Sequence, residues 1–384
     1  MKIAICGFGF SGATLPLAKA LSSNENVSGV DCFYLAYRSN SIKSIESIDF
    51  HNEKLILGIP HSLHKDNIIY RYLPSNVDVH IVPLCPNGPK WFRWISRFVN
   101  IIIIWGLAMY LIKKKYGFIN IVAHTSLEFL LIRLVMPFKK VIVSIHEIYQ
   151  SLNGAKVLKR DLVNILNSKI DVVFHSNSVQ REFELRALHR RCKCHTIPFS
   201  NFDSYISYQD DIKVTTINNY VLFIGSVQPY KGLSLLKEVF DSEDMKDIKL
   251  VIAGKGYVPE LEYFISRQNT EVINRYITNQ ELVSLIKRAS FLVCPYLTAS
   301  QTGIAPTCFV FGKPIIATRV GAFGEVIDES KNGYLIPLDS IDVFREKIKS
   351  LYYDKDKQEA MTTYINQIKS NKWVDISNSY LKIL

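Results

Sequence analysis

Short apolar segments alternate with amphipathic segments along most of the chain, and this alternation constrains the fold more than any other feature. Apolar strands followed by helices indicate β-α-β units, which build a parallel sheet covered by helices on both faces. Before residue 200 the pattern predicts seven strands, at residues 2–6, 32–36, 79–82, 119–123, 141–145, 172–175 and 195–197. The sequence therefore predicts an α/β fold.

The alternation is interrupted between residues 201 and 219, where the sequence is polar and has no periodicity. We interpret this stretch as a linker. The pattern then resumes with six strands, at residues 220–224, 248–253, 271–274, 291–294, 315–317 and 333–336. Since 384 residues suffice for two domains, we predict doubly wound, Rossmann-like domains at 1–200 and 220–361 that face a cleft, and a terminal helix at 362–384.

A glycine turn follows the first predicted strand, and its sequence Gly7-Phe8-Gly9-Phe10-Ser11-Gly12 has the G-x-G-x-x-G spacing of dinucleotide-binding folds. That motif also needs an acidic residue at the end of the second strand, where it binds the ribose. Here the second strand ends at Tyr37, and Asp31 lies at its other end. The sequence argues against a nicotinamide dinucleotide. The glycines also interrupt the apolar run after Met1, so a signal peptide is not expected.

Charge and cysteine content limit the partners and the compartment. The formal net charge of +11 favours an anionic partner. The seven cysteines lack metal-ligand spacing, and we interpret them as reduced thiols of a cytoplasmic protein. Neither a Walker pattern nor a Ser-His-Asp set can be recognised by spacing.

Aromatic and basic residues are concentrated between residues 91 and 115, and no Asp or Glu occurs from 79 to 127. The apolar segment at 99–112 is shorter than the roughly 20 residues that cross a bilayer, so we expect it not to cross. It can be a buried core helix whose basic end matches the helix dipole. It can also be a helix whose basic and aromatic flank rests on an anionic membrane surface. Both interpretations can hold together.

Two loops of the first domain and three of the second carry candidate binding residues. His124 and the pair His146-Glu147 follow predicted strands, at the edge where such sheets bind ligands. In the second domain, residues 225–232, 254–256 and 300–304 are glycine-containing loops between a strand and a helix. Backbone N–H groups in such loops can hold an anion, and Lys231 adds a cation. Together they predict a diphosphate site, although 300–304 alone is also compatible with an ordinary β-α connection.

The second domain resembles the GT-B fold glycosyltransferases, specifically the large, mainly retaining family four that uses nucleotide-diphosphate sugars. Residues 221–232 are similar to the diphosphate loop of that family, 250–256 to its second glycine turn, and 274–296 to the segment that passes the nucleotide base. Residues 312–327 and 332–337 resemble its closing motifs. The first domain matches more weakly. Residues 371–380 resemble the terminal helix that crosses back onto the first domain.

Two departures from the family pattern stand out. Ser226 replaces the arginine of the diphosphate loop, and a Ser cannot copy the bidentate fork of a guanidinium. The paired glutamates of the family, spaced Glu-x7-Glu, fall on Ala299 and Thr307 when aligned through residues 312–314. The second of these glutamates would hold the ribose hydroxyls. Some members resemble this chain in carrying a Ser-Gln-(Ser/Thr)-Gly turn, here residues 300–303.

The resemblance implies transfer of a sugar, with retention, from a nucleotide-diphosphate donor held mainly by the second domain to a saccharide held by the first. Lys231 would stabilise the leaving diphosphate, and His146 would contact the donor sugar. His124 and Glu147 would lie near the acceptor or behind the site. The expected donor-binding residues are Gly9, Ser11, Gly225, Ser226, Gly254, Gly256, Tyr276, Ser300, Gln301, Thr302, Gly303, Ile304 and Thr307.

No metal and no cofactor beyond the nucleotide sugar are expected, and no nucleic acid partner. The basic helix region at 91–115 favours a lipid-linked acceptor, as in bacterial synthesis of O-antigen, capsule or exopolysaccharide, with the enzyme at the inner face of the cytoplasmic membrane. The losses at Ser226, Ala299 and Thr307 leave an alternative, a non-catalytic GT-B-like protein that binds a partner or the membrane. Another GT-B enzyme, such as a nucleotide-sugar epimerase, or a dinucleotide oxidoreductase is a further alternative.

Overall fold

The structure, a computed structural model, divides the chain into two compact units. Unit 1 contains residues 1–199 and 373–384, and unit 2 contains residues 200–372. The residues described are 1–37, 44–50, 53–86, 88–146, 149–152, 155–158, 168–186, 191–208, 212–299, 303–368 and 372–384. The boundary after residue 199 assigns the predicted linker 201–219 to unit 2. One reason is that the Phe202 N–H donates to the carbonyl of Pro306, 3.2 Å away, in that unit.

Unit 1 is built on an eight-stranded sheet in the order β12-β11-β8-β7-β1-β2-β6-β5, parallel except for the β5–β6 pair. Its strands are β1 Lys2–Gly7, β2 Gly29–Tyr37, β5 His61–Ser62, β6 Val77–Leu84, β7 Tyr116–Ala123, β8 Val141–Ile145, β11 Asp171–Phe174 and β12 Lys193–Thr196. Two small hairpins add β3 Ser44–Ile45 with β4 Ile48–Asp49, and β9 Tyr149–Leu152 with β10 Ala155–Leu158. The helices are α1 Ser11–Ser22, α2 Arg93–Lys113, α3 Ser126–Val135 and α4 Asn177–Arg186.

Unit 2 is built on a six-stranded, fully parallel sheet in the order β15-β14-β13-β16-β17-β18. Its strands are β13 Tyr220–Ile224, β14 Leu250–Ala253, β15 Thr270–Ile273, β16 Ala289–Cys294, β17 Ile315–Thr318 and β18 Gly333–Ile336. Its helices are α5 Leu233–Phe240, α6 Leu261–Ser266, α7 Asn279–Arg288, α8 Ile304–Val310, α9 Phe323–Val326, α10 Ile341–Tyr353 and α11 Lys355–Ile368. The predicted α/β class, with parallel sheets, is confirmed.

The C-terminal segment forms two helices instead of the single helix predicted at 362–384. α11 belongs to unit 2, and α12, Lys372–Leu381, packs in unit 1. Trp373, Ile376 and Tyr380 of α12 are buried in an apolar cluster with residues of the unit 1 sheet. The Tyr380 hydroxyl lies 2.9 Å from the Ser144 hydroxyl on β8, which itself donates to Asn120 Oδ1 at 2.8 Å. The last helix is therefore part of the unit 1 core.

Helix α2 is 21 residues long, because it begins at Arg93, before the apolar segment 99–112. It is long and apolar enough to cross a membrane by length and composition, as core helices of soluble proteins also are. One side is buried and packs with the unit 1 sheet and α3 through Ile104, Leu107 and Leu111. Large apolar side chains on the other side, among them Trp94 and Trp105, are exposed. The helix thus has a core face and an uncovered apolar face.

The packing of α12 leads to a stability prediction. Tyr380→Phe should lower the free energy of unfolding by about 1 kcal/mol, because it removes a buried hydrogen bond and leaves the ring in place. Tyr380→Ala should lower it by about 3–5 kcal/mol, since it also opens a cavity. Urea unfolding followed by circular dichroism measures both values, with the exposed Lys382→Ala as control. Equal effects of the Phe and Ala variants would contradict the buried packing.

Candidate functional site

The strand order of unit 2 places a topological switch point between β13 and β16. After β13 the chain adds β14 and β15 on one side, then crosses back to place β16 on the other side. In open parallel sheets, ligands bind outside the carboxyl ends of the strands at such a point. The loops that follow β13 and β16 are joined there, because the Leu297 N–H donates to the Tyr230 carbonyl at 2.8 Å. Two of the three loops predicted to bind a diphosphate therefore meet at this switch point.

Glycines fix the positions of these loops by allowing close backbone contacts. Gly232 has φ +72°, and a Cβ there would lie 1.7 Å from the Pro295 carbonyl oxygen. Gly254 has φ +142°, and its Cβ would lie 1.8 Å from the Gly225 carbonyl oxygen. No other residue fits such contacts without moving the backbone. The loops after β13, β14 and β16 are thus held against each other by main-chain contacts.

The N–H groups of Gly225, Gly254 and Gly256 all donate hydrogen bonds within the protein. Gly225 N–H donates to the Ala253 carbonyl at 3.0 Å, and Gly254 N–H donates to the Ile273 carbonyl at 3.0 Å. Gly256 N–H donates to Asn274 Oδ1 at 3.1 Å. The sequence suggested that these amides are available to an anion. Their observed role is to join neighbouring loops, so a diphosphate would need other donors.

Lys231 lies between the two loops at the switch point. It ends the 3₁₀ turn Pro229–Lys231, and its Nζ lies 3.8 Å from the ring centre of Tyr296 and 5.2 Å from that of Tyr230. In the part of the chain that the structure describes, no carboxylate forms an ion pair with it. Desolvation lowers its pKa below the ordinary value, partly offset by the nearby Cys294. A half-buried ammonium with aromatic neighbours would gain from an anionic ligand.

The loop before α8 lies only partly within the described residues. Ser300, Gln301 and Thr302 fall outside them. Gly303 is exposed, and Ile304 begins α8. Thr307 is buried, and its hydroxyl donates to the Gly303 carbonyl at 2.7 Å. Threonine hydroxyls often bond to the carbonyl four residues earlier in a helix. This bond holds the Thr307 side chain against the first turn of α8. A contact between Thr307 and a ribose stays a prediction.

Two other residues that the sequence predicts to bind the nucleotide-sugar donor are exposed to solvent. Ser226, at the position of the family's arginine, is exposed. Tyr276 is 61% exposed and lies in the loop between β15 and α7. That loop is braced by a two-pronged contact of Arg275 with Glu281, at 2.6 and 2.9 Å, and Glu281 also closes the N-terminal cap of α7 with Thr278. An exposed ring on a braced loop suits stacking against a planar base.

In unit 1 the structure brings histidines and phenylalanines together at the carboxyl edge of the sheet. The Phe10 ring stacks on the His146 ring with 3.8 Å between centres, and lies 5.6 Å from the His124 ring. On the other side, His146 is 4.8 Å from Phe199, which stacks on His175 at 3.7 Å. His146 is buried under Phe10 and Phe199. The predicted residues His124 and His146 are thus close together. Glu147 lies outside the described residues.

The sequence reasoning missed His175 and Phe199. The available signal was a histidine directly after the strand β11, the same pattern that selected His124 and His146. The predicted strand 172–175 instead included the histidine. His175 Nδ1 lies 2.9 Å from the Ile197 carbonyl, to which it donates as the neutral ring. Burial lowers the pKa of His175 to about 4.

The N-terminus of α1, which follows the glycine turn after β1, is already contacted by a carboxyl group of the protein itself. Gly9 has φ +81° and Phe10 φ +58°, so the turn is left-handed before α1. The Gly12 N–H donates to the Glu46 carboxylate at 2.9 Å, and the Ser11 hydroxyl lies 3.1 Å from that of Ser47. Carboxylates favour helix N-termini. A phosphate bound by Gly9 and Ser11, as predicted, would have to share this place with Glu46.

One group of side chains in unit 1 has the composition of a metal site. Glu53, His61 and His64 offer ligand atoms that all lie within 4.8 Å of one another. Glu53 Oε2 is 2.7 Å from His61 Nε2, and the carboxylate also accepts from the His64 N–H at 3.3 Å. These hydrogen bonds account for the arrangement without an ion. The expectation that no metal takes part stays a prediction.

Residues 208–367 match the family model described as glycosyl transferases group 1. This segment, which is less than half of the chain, is therefore similar to the group 1 glycosyl transferases. It contains the switch-point loops, Lys231 and Tyr276, so the predicted donor residues of unit 2 all lie in the matched segment. The three positions that depart from the family pattern, Ser226, Ala299 and Thr307, lie in it as well.

Curated relatives match part of the chain. An uncharacterized glycosyltransferase, MJ1178, from Methanocaldococcus jannaschii is 30% identical over 146 residues, 37% of this chain and 41% of the relative. An uncharacterized 41.2 kDa protein in the cps region of Klebsiella pneumoniae is 25% identical over 223 residues, 57% of this chain and 56% of the relative. The chain thus spans about half the length of these curated relatives.

The similarity to solved structures covers the whole chain and not only the segment 208–367. Anabaena Alr3699/HepE, in complex with UDP and glucose, superposes with a TM-score of 0.62 at 14% identity, covering 100% of this chain and 99% of that one. At this identity the likeness concerns the fold alone. The predicted GT-B fold is confirmed, while the family-four type, the retaining mechanism and the role of residues 300–303 stay predictions.

The pKa of His175 leads to a prediction about stability and pH. An ordinary histidine in the unfolded chain titrates near 6.5, and the buried ring near 4. Between these values the unfolded chain takes up a proton that folded His175 does not, so stability falls as the pH drops below 6.5. The loss should be about 2 kcal/mol at about pH 5 relative to about pH 7.5.

His175→Asn should remove this part of the pH dependence, because an amide cannot be protonated and can still donate to Ile197. Urea unfolding of the wild type and the variant at the two pH values measures the difference between their slopes. The exposed His64→Asn serves as a matched control. If wild type and His175→Asn lose equal stability on acidification, His175 is not a neutral buried ring.

Proposed function

We propose that this protein is a glycosyltransferase that moves a sugar, with retention, from a nucleotide-diphosphate donor to a saccharide acceptor. The observation that carries the proposal is Lys231, a half-buried cation at the β13/β16 switch point of the segment that is similar to the group 1 glycosyl transferases. A nucleotide diphosphate is the anion that doubly wound domains commonly bind at this point. The proposal uses no metal and no cofactor other than the nucleotide sugar.

In the proposed mechanism, Lys231 stabilises the charge that develops on the diphosphate as the glycosidic bond breaks. A preorganised charge of this kind lowers the barrier because it needs no rearrangement during the reaction. Its depressed pKa reflects desolvation, and a nearby diphosphate would favour the charged form. Exposed Tyr276 would stack on the base. Ser226 cannot supply the second cation of the family, so the site would rely more strongly on Lys231.

The acceptor part of the proposal concerns unit 1, where His124, His146 and His175 line the carboxyl edge of the sheet. We propose that a saccharide binds there and that His146 contacts the donor sugar after Phe10 moves off the imidazole. A lipid-linked acceptor in surface polysaccharide synthesis, at the inner face of the cytoplasmic membrane, is supported by two observations. One is the similarity to a protein in a cps region. The other is the uncovered apolar face of α2.

The donor site is tested with nucleotide sugars of UDP, GDP and ADP. A true donor at 100 times its dissociation constant should stabilise the protein by about 2.7 kcal/mol, which thermal unfolding detects. Lys231→Ala should weaken donor binding by roughly 10- to 100-fold, because a charge-assisted hydrogen bond to phosphate is lost. UDP-sugars are the first probes, since the HepE structure contains UDP.

Lys237→Ala is the matched control, because Lys237 lies on the following helix and pairs with Asp241 on the surface. Wild-type affinity in Lys231→Ala would show that the diphosphate is not at the switch point. Donor binding without hydrolysis or transfer of the sugar would favour the alternative, a non-catalytic GT-B-like binding protein.

The stereochemistry and the absence of a metal requirement are tested in the transfer reaction. Turnover should be unchanged by EDTA, since we assign charge stabilisation to Lys231. The product should keep the anomeric configuration of the donor, which proton NMR of the new glycosidic bond reports. Loss of turnover with EDTA would show that a metal takes part, with Glu53, His61 and His64 as its candidate ligands. A product with inverted configuration would exclude retention.

A further inference from the structure

Helix α2 is held on unit 1 by polar side chains as well as by apolar packing. Asn100 accepts from the Cys85 N–H at 2.7 Å and donates to the Cys85 carbonyl at 3.0 Å. The Ser96 hydroxyl donates to the carbonyls of Cys85 and Pro86 at 3.0 and 2.9 Å. Both side chains are buried. These bonds fix the rotation of the helix, so its opposite face is held outward.

That outward face is lined by large apolar side chains. They recur every three to four residues and share an arc of roughly 100° on a helical projection, opposite the buried residues. The exposed fractions of those on α2 are Trp94 68%, Phe98 61%, Ile101 40%, Ile102 55%, Trp105 52% and Met109 47%, and Trp91, just before the helix begins, is 70% exposed. Soluble proteins seldom expose such a contiguous apolar surface without a partner for it.

Two other segments of unit 1 extend this surface, and the sequence alone did not reveal them. The loop with the exposed Ile56 and Ile59 adjoins α2, because a Cβ on Gly58 would lie 3.0 Å from the Ile103 side chain. The turn after α3 exposes 68% of Phe138, and the next residue, Lys139, donates to the Lys114 carbonyl at 2.7 Å. We call α2, together with Trp91 just before it and these two segments, the α2 surface.

The charges on α2 and at its two ends have one sign. Lys90, Arg93, Arg97, Lys113, Lys114 and Lys115 are all exposed, and no Asp or Glu occurs between residues 79 and 127. Exposed tryptophans beside lysine and arginine match the interface of a bilayer, where rings lie among head groups and cations meet acidic lipids. A protein partner would also cover apolar side chains, but it would not require an aromatic row bordered by cations alone.

We propose that the α2 surface binds the surface of an anionic phospholipid bilayer, with the tryptophans of α2 inserted at head-group depth. The helix lies along the membrane and does not cross it, because crossing would break the bonds of Asn100 and Ser96 and uncover the unit 1 sheet. This inference does not depend on the proposed donor site, and its test uses no nucleotide.

Tryptophan emission gives a direct test. The chain has four tryptophans, and three of them, Trp91, Trp94 and Trp105, lie on the α2 surface while Trp373 is buried. The full chain is mixed with phosphatidylcholine vesicles containing about a third phosphatidylglycerol, which supply the lipid charge. Co-sedimentation, a blue shift of the emission and quenching by lipids brominated near the head group are expected. Vesicles of phosphatidylcholine alone should bind at least tenfold more weakly.

Two sets of variants separate the apolar and electrostatic parts. Trp94→Ala/Phe98→Ala/Met109→Ala should lower vesicle affinity at least tenfold at any salt concentration. Arg93→Gln/Arg97→Gln/Lys113→Gln/Lys114→Gln should lower it similarly and flatten its salt dependence. The matched control Ile265→Ala/Val343→Ala/Tyr353→Ala removes exposed apolar side chains from unit 2 and should bind as the wild type does. Equal melting temperatures confirm that all variants fold.

Several results would overturn the proposal. They are equal binding by the Trp94/Phe98/Met109 variant and the wild type, binding without a blue shift or quenching, and no preference for anionic lipid. A blue shift that grows with protein concentration in the absence of lipid, with a dimer in light scattering, would instead identify the α2 surface as an interface between two copies of the chain.

Discussion

Parallel strand pairing is the constraint on which both units depend. Because every strand of the unit 2 sheet runs in one direction, the loops after β13, β14 and β16 leave the same edge and come into contact. In unit 1 the parallel strands β1, β7, β8 and β11 likewise deliver Phe10, His124, His146 and His175 to one edge. Phe10 and His146, which are 136 positions apart in the chain, therefore stack on each other. The topology assembles both groups of residues, and individual side chains then determine their chemistry.

The switch point of unit 2 is shaped by backbone contacts, and this affects how the site can vary. At Gly232 and Gly254 the backbones of neighbouring loops come closer than a Cβ atom would allow. The positions of the loops therefore depend on glycine at these two residues. The exposed positions in the same loops, such as Ser226, are not needed for that packing. The arginine expected from the resemblance can therefore be lost without disturbing the loops. Its loss concerns the charge offered to a ligand and leaves the scaffold intact.

Much of the fold follows from the sequence, because buried strands bounded by glycine and proline have few alternatives. The predicted strands 141–145, 220–224 and 333–336 match the structure at both ends. Two-residue strands such as β3 and β4 were missed, since so short a segment has no periodicity. His175 was missed because a strand end is uncertain by one residue. The sequence predicts that the glycine amides are available to a ligand, and only the contacts between loops show that they bond within the protein.

Helix α2 shows most clearly what the pattern of apolar residues in the sequence does not determine. Its apolar residues occupy two opposite faces, so the sequence predicts an apolar helix without indicating which side packs against the sheet. Two polar residues, Ser96 and Asn100, settle this by bonding to the backbone around Cys85. Had they faced water, Trp94 and Trp105 would be buried and the basic residues would border a core helix. The orientation of these two polar side chains thus decides which aromatic side chains the protein presents to its surroundings.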